Sequence, residues 1–170
     1  MKVNPKFPTP SGDIQVSSPS SSVELNGVRT LFKEYASALD VDLCFQNFDA
    51  ELAALPGEYA SPRGGLLVAT VDGQLAGCCA MRPMDTVDYS NACEMKRLYV
   101  RPAYRGFRLG RLLAESILEA ARVAGYDCVL LDTLDDMESA RALYQELGFE
   151  EIPPYYYNPI AGAHYLKAQL

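Results

Sequence analysis

The segment that most restricts the fold is a run of four apolar residues, Cys128, Val129, Leu130 and Leu131, held between two amphipathic helical patterns. Before it, Leu109, Leu113, Ile117 and Ala121 recur every four residues while Arg111, Glu115 and Glu119 fall on another face, which predicts a helix over 109–123. After it, Ala140, Leu143, Tyr144 and Leu147 form a core stripe, Asp135 and Glu138 flank its start, and Gly148 sits where a left-handed C-cap belongs. A strand that is apolar on both faces needs cover on both faces. Residues 128–131 therefore predict a strand inside a helix-covered sheet.

The remaining elements supply that sheet. Residues 65–71 and 74–81 flank Asp72-Gly73, a pair that provides the positive φ angles of a two-residue hairpin turn. Residues 92–100 read as a further strand, with Cys93 and Met95 alternating against Glu94 and Lys96. The alternation breaks at Lys96-Arg97 and resumes with Leu98 and Val100, which predicts a bulge that splays this strand from its partner. Upstream, residues 13–17 read as a short strand, and Ser21 with Glu24 matches a capping box. Val23, Val28, Leu31, Phe32, Tyr35 and Leu39 then follow at helical spacing. Residues 47–55 predict a second short helix, ended by Pro56-Gly57, and residues 149–152 and 163–168 two last strands across a tyrosine-rich loop. The fold class is α/β of the α+β type, a mixed central β-sheet flanked by helices.

A chain of 170 residues suits one domain. Residues 1–12, with prolines at 5, 8 and 10, read as a mobile N-terminal tail, and residues 13–170 as the domain. The net charge of −7 argues against a nucleic-acid partner. Five cysteines, an odd number without zinc-site spacing, predict buried thiols in a reducing compartment. His164 is the sole histidine, so no metal site is expected. With no apolar run of membrane-spanning length and no signal-peptide pattern, the expectation is a cytoplasmic protein without a membrane partner, and a homodimer stays open.

Residues 96–111 carry the chemistry. Lys96, Arg97, Arg101, Arg105, Arg108 and Arg111 make six cations with no acid among them, between a strand and a strong helix. A helix N-terminus offers unpaired N–H groups and partial positive charge, and Gly106 and Gly110 let backbone approach a ligand, so the segment suits a phosphate-bearing molecule. A solvated basic loop that caps the helix is the plainer reading. The P-loop and dinucleotide glycine patterns are both missing.

These residues resemble the GNAT superfamily of acetyl-CoA-dependent N-acetyltransferases, well over residues 65–170 and loosely over the N-terminal helices. Residues 96–102 resemble the end of the family's fourth strand and the start of its pyrophosphate loop. Arg105 to Gly110 resemble its [QR]-x-x-G-x-[GA] motif, and residues 140–149, ARALYQELGF, resemble the helix that carries a tyrosine and ends in Gly-Phe. Arg108 replaces the motif's first glycine, and Met137 stands where an asparagine often precedes the tyrosine by seven residues.

The resemblance implies a GNAT fold with a splayed parallel strand pair, binding acetyl-CoA or a related acyl-CoA. The backbone of Leu98, Tyr99 and Val100 would pair with the pantetheine arm. The N–H groups of Gly106, Phe107, Arg108, Leu109, Gly110 and Arg111, with Arg105, would hold the pyrophosphate. Glu94, near the bulge, is the candidate base for an amine acceptor of small-molecule or peptide origin, and Tyr144 the candidate acid for the leaving thiolate. No residue stands out as an acyl-accepting nucleophile, so direct transfer is expected. Two other readings stay open: a CoA-binding regulatory module without turnover, and a binder of another phosphorylated ligand. Tyr155, Tyr156 and Tyr157 read either as a wall of the acceptor pocket or as a packed loop.

Overall fold

The computed structural model describes residues 12–40, 42–135 and 137–170; the expected tail, apart from Gly12, lies outside them. In chain order the elements are β1 (Ile14–Ser17), α1 (Ser22–Leu39), α2 (Phe48–Ala54), β2 (Gly65–Val71), β3 (Gln74–Met84), β4 (Ala92–Val100), α3 (Leu109–Val123), β5 (Cys128–Leu134), α4 (Glu138–Glu146), β6 (Glu150–Ile152) and β7 (Ala163–Gln169). They build a seven-stranded sheet in the order β1-β2-β3-β4-β5-β7-β6. The β4–β5 pair is parallel and its neighbours pair antiparallel.

Local sequence sets most of these boundaries. Ser21 caps α1 through Glu24 N–H at 3.1 Å while the Glu24 carboxylate accepts from the Ser21 N–H, the reciprocal capping box. Asp72 and Gly73 both take positive φ in the β2–β3 turn, and Gly148 closes α4 at φ +90°. Leu113, Ile117 and Ala121 of α3 bury completely against Cys79, Cys93, Met95 and Val129, joined by Tyr144 and Phe149. A Leu or Ile removed from water this fully contributes about 1.5–3 kcal/mol. Val28, Leu31 and Phe32 of α1, with Leu52 of α2, cover Leu66, Val68, Cys78 and Ala80 on the opposite face.

Several expectations need correction. Val23 is 78% exposed, because the buried stripe of α1 starts one turn later at Val28. Cys44 is exposed, whereas Cys78, Cys79, Cys93 and Cys128 are buried free thiols. In α4 Tyr144 alone is fully buried, and Ala140, Leu143 and Leu147 sit half-buried at the margin. β5 runs past its apolar stretch to Leu134, because β7 continues the ladder through Asp132↔Tyr165 and Thr133↔His164 after β4 has departed. No helix among the described residues is long and apolar enough to cross a membrane.

Candidate functional site

The site begins where β4 leaves β5. The strands pair only at Ala92↔Cys128, Cys93↔Val129 and Glu94↔Leu130. Three residues further, β4 bulges: Tyr99 faces Cys78 and Lys96 faces Ala80, so Arg97 and Leu98 together oppose Cys79. Arg97 takes φ +62° there. The extra residue turns Lys96 and Arg97, neighbours in sequence, toward the same helical cover, where Lys96 reaches Gln46 and Arg97 reaches Glu51. From Met95 onward the two strands enclose a V-shaped cleft of roughly 620 Å³, including its open mouth.

At one end of β4 the chain turns through Gly106, φ +93°, into α3. Arg108 is the N-cap at φ +60° and offers no side-chain cap, and the first turn holds no acid. The N–H groups of that turn therefore have no partner within the helix. Of the six cations, Arg97 is spent on Glu51, Arg101 on Glu34 and Arg111 on Glu115 and Glu146. Arg105 donates to the Val100 carbonyl at 3.2 Å. Arg105 and Arg108 are exposed and form no ion pair among the described residues. Nothing stands within 4 Å of a side chain built at Gly106. An uncapped helix start, the Arg105 guanidinium without a carboxylate partner and an open glycine fit a pyrophosphate.

Inside the V, Leu98 lines the cleft on the β4 side and Tyr144 on the α4 side. The Tyr144 ring packs edge-on against Phe149 at 5.6 Å, and no hydrogen bond to a described residue acts on its hydroxyl. Burial drives its pKa up, with smaller contributions from Cys79 and Tyr35. Met137 also lines the cleft. Tyr99 points away, into the α1 face, where its ring meets Tyr35 edge-on.

The candidate base lies at the point of the V. Glu94 is 1% exposed. Its Oε1 accepts from Arg82 Nε at 2.9 Å and its Oε2 from the Tyr155 hydroxyl at 2.6 Å. Tyr155 is thereby held with its pKa raised, first by burial and then by the Glu94 charge. Tyr144 thus lines the cleft, whereas Glu94 does not and lies buried at its point between Arg82 and Tyr155.

Three residues that the sequence did not single out complete the wall. Asp132 stands on β5, its Oδ2 accepting from the Tyr156 hydroxyl and from Asn158 Nδ2. Gln46 donates to the Tyr156 hydroxyl at 3.3 Å and accepts from Lys96 Nζ at 3.1 Å. Burial lowers the Lys96 pKa, and Glu94 opposes that shift. Asp132 had a legible signal: it is the first polar residue after the apolar run, at the carboxyl end of a central strand, where open sheets bind ligands. Gln46 and Asn158 gave none.

The acetyltransferase (GNAT) family matches residues 26–149. The chain is 39% identical to an uncharacterized N-acetyltransferase of Schizosaccharomyces pombe, over 93% of this chain and 96% of the relative. Its fold is similar to that of a GNAT-family acetyltransferase of Staphylococcus aureus, at a TM-score of 0.73 and 17% identity over 92% of this chain and 99% of the other. It is also similar to the yncA acetyltransferase of Salmonella typhimurium, a structure with its cofactor acetyl-CoA, at a TM-score of 0.67 and 17% identity over 92% and 93% of the two chains.

Proposed function

Because the chain belongs to the acetyltransferase (GNAT) family, as its match over residues 26–149 establishes, we propose that it moves the acetyl group of acetyl-CoA directly onto a primary amine seated beside Asp132. One observation carries the reading. The β4 edge, freed from β5 after Glu94, leads from the uncapped start of α3 to the buried charges at the point of the V.

Acetyl-CoA supplies an activated thioester on a long, slender arm. The backbone N–H groups from Arg108 to Arg111, with the Arg105 guanidinium, hold its pyrophosphate. The β4 backbone at Leu98, Tyr99 and Val100 pairs with the arm as it would with an added strand. A backbone N–H near Leu98 donates to the thioester oxygen. The acceptor must lose a proton before its nitrogen attacks. Both Glu94 oxygens are already engaged, so we assign that proton to the open Oδ1 of Asp132; Glu94 positions Arg82, Tyr155 and Lys96. Asp132 passes that proton to solvent, and as the N–C bond forms and the C–S bond breaks it takes the second proton that the nitrogen sheds on becoming an amide. Tyr144, kept protonated by burial, gives its hydroxyl proton to the departing sulfur and regains one from solvent.

Melting curves with and without acetyl-CoA, together with release of free CoA thiol over a panel of amines, test this. Ligand at 100 times its dissociation constant adds about 2.7 kcal/mol of stability. The expected result is a raised melting temperature and amine-dependent thiol release. A shift without turnover on any amine would favour a regulatory CoA-binding module, and no shift at millimolar ligand would remove the donor site.

A further inference from the structure

We propose that the acceptor is a zwitterion of the α-amino acid type, its carboxylate held by Lys96 on β4 while its amine faces Asp132 on β5. This names the acceptor class for the acetyl-transfer reading above and rests on it.

Lys96 is a buried cation with donors to spare. Its side chain is 5% exposed. An ammonium carries three N–H donors, yet among the described residues Gln46 is its one hydrogen-bond partner. The nearest carboxylate oxygen, Oε1 of Glu94, is 3.7 Å away and already accepts from Arg82. A charge taken out of water costs several kcal/mol unless something compensates it, so a donor left over here points to an anion that arrives from outside.

The opposite wall has the opposite sign. Asp132 lines the cleft, and since Tyr156 and Asn158 both bind Oδ2, its Oδ1 has no hydrogen-bond partner among the described residues. A hydrogen-bonded arc joins the two charges: Lys96 to Gln46, Gln46 to Tyr156, Tyr156 to Asp132. Lys96 and Asp132 form no direct ion pair. The arc holds a cation on β4 and an anion on β5, each two residues beyond the last strand pair, without a direct ion pair between them. A molecule with an amine and a carboxylate on one carbon meets both; a polyamine or a lysine side chain brings nothing to Lys96. Lys96 also borders a second hollow, walled by Arg82, Met84, Val87 and Tyr155, which gives an acceptor side chain room.

The experiment compares free leucine with leucinamide, the same amine without the carboxylate, by initial rates of CoA release. The amide has the less basic amine and so the larger free-base fraction near neutral pH, which biases the comparison against the proposal. The expected result is a kcat/KM at least tenfold higher for leucine. In Lys96→Met, which keeps an unbranched apolar stem and drops the ammonium, the KM for leucine should rise by about 10–100-fold, the scale of a charge-assisted hydrogen bond, and the leucine-to-leucinamide ratio should collapse. An unchanged acetyl-CoA melting shift in Lys96→Met shows that it is folded. As a second readout, leucine but not leucinamide should raise the melting temperature of the wild-type protein saturated with CoA. Equal use of acid and amide, or a ratio unmoved in folded Lys96→Met, overturns the proposal. Acid-selective binding without turnover on any amine supports this site while rejecting the transfer reading. Neither binding nor turnover of leucine, with turnover on another amine of the panel, overturns this proposal and leaves the transfer reading standing.

Discussion

Arg108 holds a backbone conformation that suits glycine better than arginine. At φ +60° its Cβ crowds the following carbonyl, a cost of about 1–2 kcal/mol. Glycine is also tolerated at an N-cap. Arg108→Gly should therefore raise stability, by about 1 kcal/mol once the extra freedom of glycine in the unfolded chain is subtracted. Denaturant titration measures that gain. Because the side chain is exposed, acetyl-CoA affinity should stay level or tighten slightly in calorimetry. A large loss would mean that the guanidinium itself grips the ligand. Tyr144 poses the opposite case, a buried ring with an unspent hydroxyl. Tyr144→Phe keeps the contact with Phe149, so its melting temperature should barely move. Acetyl transfer should slow by ~10²-fold or more, the scale of general acid catalysis. Affinity for CoA should change far less, since the hydroxyl acts as the C–S bond breaks. Equal turnover by the two proteins would reduce Tyr144 to packing.

At the scale of elements, the loop between β6 and β7 is packed through two of its three tyrosines, with Tyr157 left exposed. Tyr155 and Tyr156 pack edge-on against Tyr165, and their hydroxyls reach across to Glu94 and Asp132. Opposite them, His164 of β7 clamps two segments, with Nδ1 on Glu151 of β6 and Nε2 on Asp135 just past β5. Hydrogen bonds first to Asp135, then to Glu151, raise the His164 pKa. A folded pKa above the unfolded value means stability fully present below the unfolded value, about 6.5, and lost as pH rises through the folded one. The difference in melting temperature between wild type and His164→Gln should accordingly be larger at about pH 5.5 than at about pH 8.5. A difference independent of pH would show that the clamp works without the charge. The elements themselves were legible because their signals are local: Ser21 with Glu24, Asp72-Gly73, the broken alternation at Lys96-Arg97. The arc from Lys96 to Asp132 was not, because its links span 50, 110 and 24 residues and no short pattern encodes them.

For the whole molecule, the three residue pairs that join β4 to β5 have an effect on its surface chemistry. An ordinary sheet has two edges, at its rim. This one has two more in its interior, facing each other across the V. Exposed edges invite foreign strands, and proteins blunt them with charge, bulges and twist. Here the wedge itself protects: a strand needs about 4.8 Å to each neighbour along its whole length, and a gap that opens from a point does not offer it. What enters must taper and carry few branches. Occupied by acetyl-CoA, the interior edge of β4 should behave like the middle of a sheet. Amide exchange over residues 95–100 should slow in its presence, while the β2–β3 turn, already paired, exchanges as before. Protection spread evenly over the chain would indicate general stiffening instead. The V is a polymerisation surface that its own shape has closed to polymers and left open to a small molecule.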